Sequence, residues 1–168
     1  MKIRGFEVIS EKQYIEDFKE TLEEFTAQEC LAYEKIILPK RATALSAGYD
    51  VFSTVGFLLP PNKEIKLPTG IKSYMQNDEV LKAYPRSGLG FKFYSRLANT
   101  IGIIDADYIF GKNEGHIWIK LRNEGNKSML IEKGEAICQF IFEKYLLADG
   151  DSYEGKKRIG GLGSSDNK

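Results

Sequence analysis

The chain has 168 residues, a length that suits one domain, or one domain plus an appendage, and can bury a real core. Its 24 lysines and arginines balance 24 aspartates and glutamates, so no broad cationic field advertises a nucleic-acid partner, although a local cluster could still hold a polyanion. No apolar run approaches the roughly 20 residues that cross a bilayer, and Met1-Lys2-Ile3-Arg4-Gly5 does not lead into a signal-peptide core, which predicts a cytoplasmic protein without membrane contact.

In chain order, residues 2–9 read as a short strand. Ser10 with Gln13 then forms a capping-box pattern, and Ile9 and Tyr14 stand at the spacing of a hydrophobic staple. Tyr14, Ile15, Phe18, Leu22 and Phe25 recur at helical spacing among charged residues, predicting an amphipathic helix to about Phe25. Thr26 and Glu29 repeat the capping pattern and could open a shorter helix ending before Leu38-Pro39. This helical insert, about residues 10–37, reads as a peripheral packing element; a protein partner on its apolar stripe is the sharper alternative.

From Lys40 onward, short apolar segments broken by Gly, Pro and Asn predict an all-β domain. In Ser46-Ala47-Gly48-Tyr49-Asp50-Val51-Phe52, small residues let the backbone pass close to its neighbours. Asp50 then projects from a strand otherwise made for burial, and either makes local hydrogen bonds or faces a hydrated cation. A turn at Pro60-Pro61-Asn62 precedes strands at Glu64–Leu67 and Pro68–Met75. The strand Glu79–Tyr84 runs into Pro85-Arg86-Ser87-Gly88-Leu89-Gly90, read as a loop that presents a guanidinium, a hydroxyl and glycine-freed N–H groups together. Those are donors for phosphate oxygens, without the spacing of a Walker loop.

Two apolar limbs, residues 100–104 and 117–121, read as a hairpin, with Asp105, Asp107 and Tyr108 gathered where the backbone bends away. Turn carboxylates most often cap free N–H groups, and on these residues alone that reading leads. Lys133–Phe140 is a turn entering a long strand whose polar interruption is Gln139, an amide for neighbouring backbone or for a ligand oxyanion. Residues 149–168 predict a flexible glycine-rich arm, in which Lys156-Lys157-Arg158 beside glycines and serines would suit a flap over phosphates. Cys138, within an apolar run and far from Cys30, reads as a buried free thiol; with His116 alone, no zinc site and no nucleophilic triad is in view.

Five pieces stand in the order characteristic of trimeric dUTP diphosphatases (dUTPases): AGYDVF, PRSGLG, GIIDADY, GEAICQF and RIGGLGSS, spanning Ala47 to Ser165. The chain most resembles the branch of Gram-positive bacteria and their phages, with which it shares RGFEV, LPKRAT and NEGHI. The resemblance implies a distorted jelly roll, residues 1–148, with the helical insert, and residues 149–168 as the arm carrying the fifth motif. It implies a homotrimer whose three sites lie at subunit junctions, with no direct nucleic-acid contact. The implied reaction cleaves dUTP to dUMP and pyrophosphate with Mg2+, limiting uracil incorporation into DNA and supplying dUMP for dTMP synthesis.

By the same resemblance, Asp105 is the general base for the water that attacks the α-phosphorus, and Asp50 holds Mg2+ through water. Arg86, Ser87, Gly88, Gln139 and Arg158 grip the triphosphate, and the arm residues Gly160, Gly161, Leu162, Gly163 and Ser164 close over substrate. Asn99, with backbone around Gly102 and Ile104, reads uracil; Tyr108 lies against the deoxyribose and leaves no room for a 2′-hydroxyl. In one departure from the family pattern, Leu162 stands where many members carry an aromatic residue, leaving apolar coverage in place of stacking. In another, Arg158-Ile159-Gly160-Gly161 is one residue shorter than the usual spacing, and Lys157 sits where that spacing would put the arginine. The expectation is a pocket that Asp105 shares with Arg86, Ser87 and Tyr108. The competing readings are a dCTP deaminase of the same fold and a nucleotide-gated regulator that holds a partner through the insert.

Overall fold

The protein is described from a computed structural model, which covers residues 2–19 and 33–153. β1 (Gly5–Val8) pairs antiparallel with β5 (Ile71–Tyr74) and leads into α1 (Glu11–Lys19). Half of the predicted capping box forms: the Gln13 N–H donates to Ser10 Oγ at 3.2 Å. The reciprocal half does not, because Glu114 supplies a charged acceptor instead. Its carboxylate takes the Ser10 N–H at 2.9 Å and the Ser10 hydroxyl at 2.6 Å, while the Gln13 amide donates to Asp17 at 3.0 Å. Tyr14 and Phe18 are buried with ring centroids 4.6 Å apart, so α1 packs its apolar stripe on the β core. The continuation of that stripe through Leu22 and Phe25, and the second helix at Thr26, lie outside the described residues.

The rest is antiparallel sheet. β2 (Tyr49–Phe52), β11 (Ala136–Lys144), β6 (Glu79–Pro85) and β8 (Gly102–Asp105) form a four-stranded sheet in that order. β4 (Glu64–Pro68), β9 (Trp118–Asn123) and β7 (Ser95–Leu97) form a three-stranded one. β3 (Phe57–Leu59) pairs with β10 (Met129–Ile131). Alternate residues Ile65 and Leu67, Ile119 and Leu121, and Leu81 and Ala83 are buried, the period-two pattern of strands that bury one face. They join Ile71, Ile137 and Phe140 in one core, and the mostly β jelly roll predicted above is what forms.

Two local expectations are corrected. The limbs 100–104 and 117–121 are not partners: β8 pairs with β6, through Ile104 opposite Leu81, and β9 pairs with β4, through Ile119 opposite Leu67. Between them the chain changes sheet by way of a 3-10 turn (Ala106–Phe110) and a bend with positive φ at Glu114 and Gly115. A Cβ on Gly115 would stand 2.5 Å from Ile109 Cα, so only glycine closes that bend. The second correction concerns Ser87 and Gly88, which are not loop: α2 (Ser87–Phe93) begins directly after Arg86, whose carbonyl accepts the Gly90 N–H at 2.9 Å. Leu89 and Phe93, four apart, are its buried face and explain why a stretch rich in glycine is helical here.

Candidate active site

The candidate side chains fall into two groups, one on the four-stranded sheet and one between it and the three-stranded sheet. In the first, Gln139 on β11 stands opposite Asp50 on β2 and opposite Tyr84 on β6, and Arg86 follows where β6 ends. Arg86 Nε lies 3.1 Å from Asp50 Oδ1, and Nη1 donates to the Ala136 carbonyl at 3.2 Å. Nη2 donates to Asp50 Oδ2 at 3.5 Å, so the carboxylate holds one edge of the fork and the Ala136 carbonyl another, which leaves one N–H on each of Nη1 and Nη2 to meet an anion. Gln139 Nε2 donates to the Pro85 carbonyl at 3.0 Å. Gly48 explains the close fit, because a Cβ there would overlap Gln139 Oε1. Ser87 and Gly88 are exposed in the first turn of α2, whose N–H groups have no intrahelical acceptor. Arg86, Ser87, Gln139, Tyr84 and Tyr94 line an open cavity of about 780 Å³.

The second group surrounds a narrower cavity of about 260 Å³ between β8 and β9, lined by Asn99, Gly102, Ile104, Tyr108, Ile117 and Trp118 among others. This volume lies just under the range of roughly 300–1,000 Å³ usual for small-molecule sites, a size for a nucleoside rather than a whole triphosphate. A Cβ at Gly102 would stand 3.0 Å from Ala83 Cβ, so glycine keeps the wall flat where β8 meets β6. Tyr108 is buried, and its hydroxyl donates to the His116 carbonyl at 3.2 Å, fixing the ring at the cavity wall. Sequence reasoning did not assign Ile117 or Trp118 to a pocket, nor give His116 a partner. The alternation of residues 117–121 could have pointed to the first two; nothing local pointed to the third.

Asp105 lines neither cavity. It is exposed at the end of β8, between Ile104 of the narrow cavity and the 3-10 turn that carries Tyr108. Its register partner on β6 is Val80, six residues before Arg86, a separation of about 20 Å along a strand. Within one chain, therefore, the expected pocket common to Asp105, Arg86, Ser87 and Tyr108 does not form. Arg158, Gly160, Gly161, Leu162, Gly163 and Ser164 lie outside the described residues. Among the described residues no group of three or more His, Cys, Asp or Glu could hold a metal, and no helix is long and apolar enough to cross a membrane. Cys138 is fully buried, and burial pushes its thiol far above the ordinary range, which leaves it an inert core residue.

Residues 34–165 match the family model described as dUTPase. A deoxyuridine 5'-triphosphate nucleotidohydrolase of Lactococcus lactis is 39% identical over 167 residues, covering 98% of this chain and 99% of that protein. Among solved structures, the dUTPase of Streptococcus mutans superposes with a TM-score of 0.65 at 34% identity, over 87% of this chain and 99% of that one. The dUTPase of Staphylococcus bacteriophage 80alpha with dUPNHPP reaches 0.64 at 20% identity, over 98% and 99%, and so shares the fold. The two groups of side chains, the jelly roll that carries them and this near full-length likeness lead to one conclusion: the chain belongs to the dUTPase family and is a dUTP diphosphatase, hydrolysing dUTP to dUMP.

Proposed function

We propose that the active unit is a homotrimer in which each site joins the Asp50, Arg86, Ser87, Gln139 group of one chain to the Asn99, Tyr108, Asp105 group of another. The observation that carries this reading is the separation of about 20 Å along the strand between Asp105 and Arg86 of one chain. A dNTP needs both a nucleoside pocket and a phosphate cradle, and a ring of copies brings unlike faces together.

In that site the narrow cavity takes deoxyuridine. Asn99 and the backbone at Gly102 and Ile104 meet the uracil edge, and the buried ring of Tyr108 stands against the sugar. The Arg86 fork, the Ser87 hydroxyl, the first amides of α2 and Gln139 hold phosphate oxygens and stabilise the charge that shifts as the bond from the α-phosphorus to the α–β bridging oxygen breaks. Asp105, exposed at the strand end, takes the proton from a water aimed at the α-phosphorus, and pyrophosphate leaves. Arg158 and Gly160 to Ser164 close over the substrate from the arm.

The donor set suits magnesium carried by the phosphates. Asp50 is half-buried and no third acid joins it among the described residues, so a closed protein cage is absent, while a largely hydrated ion touching one carboxylate through water fits. When bound, Mg2+ screens the phosphate charge. The product supplies dUMP for dTMP synthesis, and the reaction limits uracil in DNA. Asp105→Asn tests the assignment: it is expected to keep dUTP binding and lower turnover by about 10² to 10⁴. Unchanged pyrophosphate release would refute it.

A further inference from the structure

At the wall of the narrow cavity the Tyr108 hydroxyl donates to the His116 carbonyl at 3.2 Å. What holds His116 therefore matters to the cavity. The imidazole is fully buried, and its Nε2 accepts the Gly70 N–H at 2.8 Å. Nε2 is thus the nitrogen without hydrogen, and Nδ1 carries the proton and donates it to Asp17 Oδ2. Asp17 lies on α1, 99 residues away in sequence, and its other oxygen accepts the Gln13 amide at 3.0 Å. The ring centroid of His116 is 5.3 Å from that of Trp118, which lines the cavity directly. A chain of contacts therefore runs from the helical insert to the nucleoside wall: Gln13, Asp17, His116, Tyr108.

We infer that Asp17 and His116 are positioning residues for substrate selection. The insert helix, through the carboxylate that orients His116, sets where the Tyr108 ring stands and so how strictly a 2′-hydroxyl is refused. The inference rests on the reading of Tyr108 as the sugar-facing residue. The polar groups are buried, so losing one leaves another stranded rather than resolvated, and the ring turns to find a new partner. The insert is then a brace for the pocket as well as a packing element.

The experiment compares kcat/KM for dUTP and UTP in the full-length enzyme. Asp17→Ala is expected to lower the dUTP:UTP ratio about tenfold, the equivalent of one stranded hydroxyl, mainly through a lower KM for UTP. Asp17→Asn keeps an oxygen for Nδ1–H and is expected to restore most of the ratio. Tyr108→Phe, which removes the last link, lowers the ratio similarly, and the Asp17→Ala, Tyr108→Phe double variant falls no further than either alone. Should Asp17→Ala fail to fold, Gln13→Leu, which frees only Asp17 Oδ1, is expected to lower the ratio about threefold.

A loss of activity on dUTP and UTP in equal proportion would mean a structural role only and overturn the inference. If Tyr108→Ala lowers the ratio while Asp17→Ala and Gln13→Leu leave it unchanged, the inference fails and the sugar reading stands. An unchanged ratio in Tyr108→Ala overturns both.

Discussion

Gly48→Ala isolates Gln139, the proposed phosphate donor, without replacing it. A Cβ at residue 48 would overlap Gln139 Oε1 and stand 3.2 Å from Gln139 Cδ, so the amide must swing away and give up its bond to the Pro85 carbonyl. The site is half exposed and water can replace that bond, so folding stability falls by about 1 kcal/mol. The cost to catalysis is larger. A donor to a charged oxygen contributes about 1.5–3 kcal/mol, which converts to roughly 10- to 150-fold in kcat/KM. The assay is pyrophosphate release from dUTP by Gly48→Ala, by Gln139→Ala and by the double variant. The single variants are expected to fall alike and the double no further than Gln139→Ala, because both remove the same donor. A Gly48→Ala enzyme within twofold of wild type, or losses that multiply in the double variant, would refute the role given to Gln139.

Other outcomes follow from the same geometry. Glu79 is nearly fully buried, and the Arg4 guanidinium holds its carboxyl below the ordinary value of 4.5; the Ser10 hydroxyl and N–H hold Glu114 below it too. Both contribute stability that is present above about pH 4.5 and lost as pH falls through their lowered folded values. Glu79→Gln or Glu114→Gln is therefore expected to flatten the acid limb of melting temperature against pH; an acid limb of unchanged slope in both would contradict it. In native protein, Cys138 is expected to resist alkylation until unfolding, read by peptide mapping, and rapid labelling would contradict its burial.

The strands were legible where their pattern was local. Alternation at Glu64–Leu67 marks a half-buried strand, and Ser10 with Gln13 marks the start of α1. Pairing was not, because two β-rich limbs close in sequence pair with whichever strand shares their buried face, here β6 and β4. The helix at Ser87 was hidden by glycines that local propensity assigns to loops, and the burial of Leu89 and Phe93 overrides that preference. Arg86, Asp50 and Gln139 were found as separate motifs, but their contact depends on three strands meeting. His116 looked solitary because its acid stands on a helix far earlier in the chain.

In the proposed trimer, Asp105 of one chain serves a substrate held by Arg86 of another. Asp105→Asn and Arg86→Ala enzymes, each nearly inactive, would be mixed in equal amounts, unfolded and refolded together, and assayed for pyrophosphate release from dUTP. Random assembly is expected to rebuild roughly a quarter of the sites with both groups intact, and a corresponding fraction of wild-type activity should return. A mixture no more active than its two components would contradict the shared site.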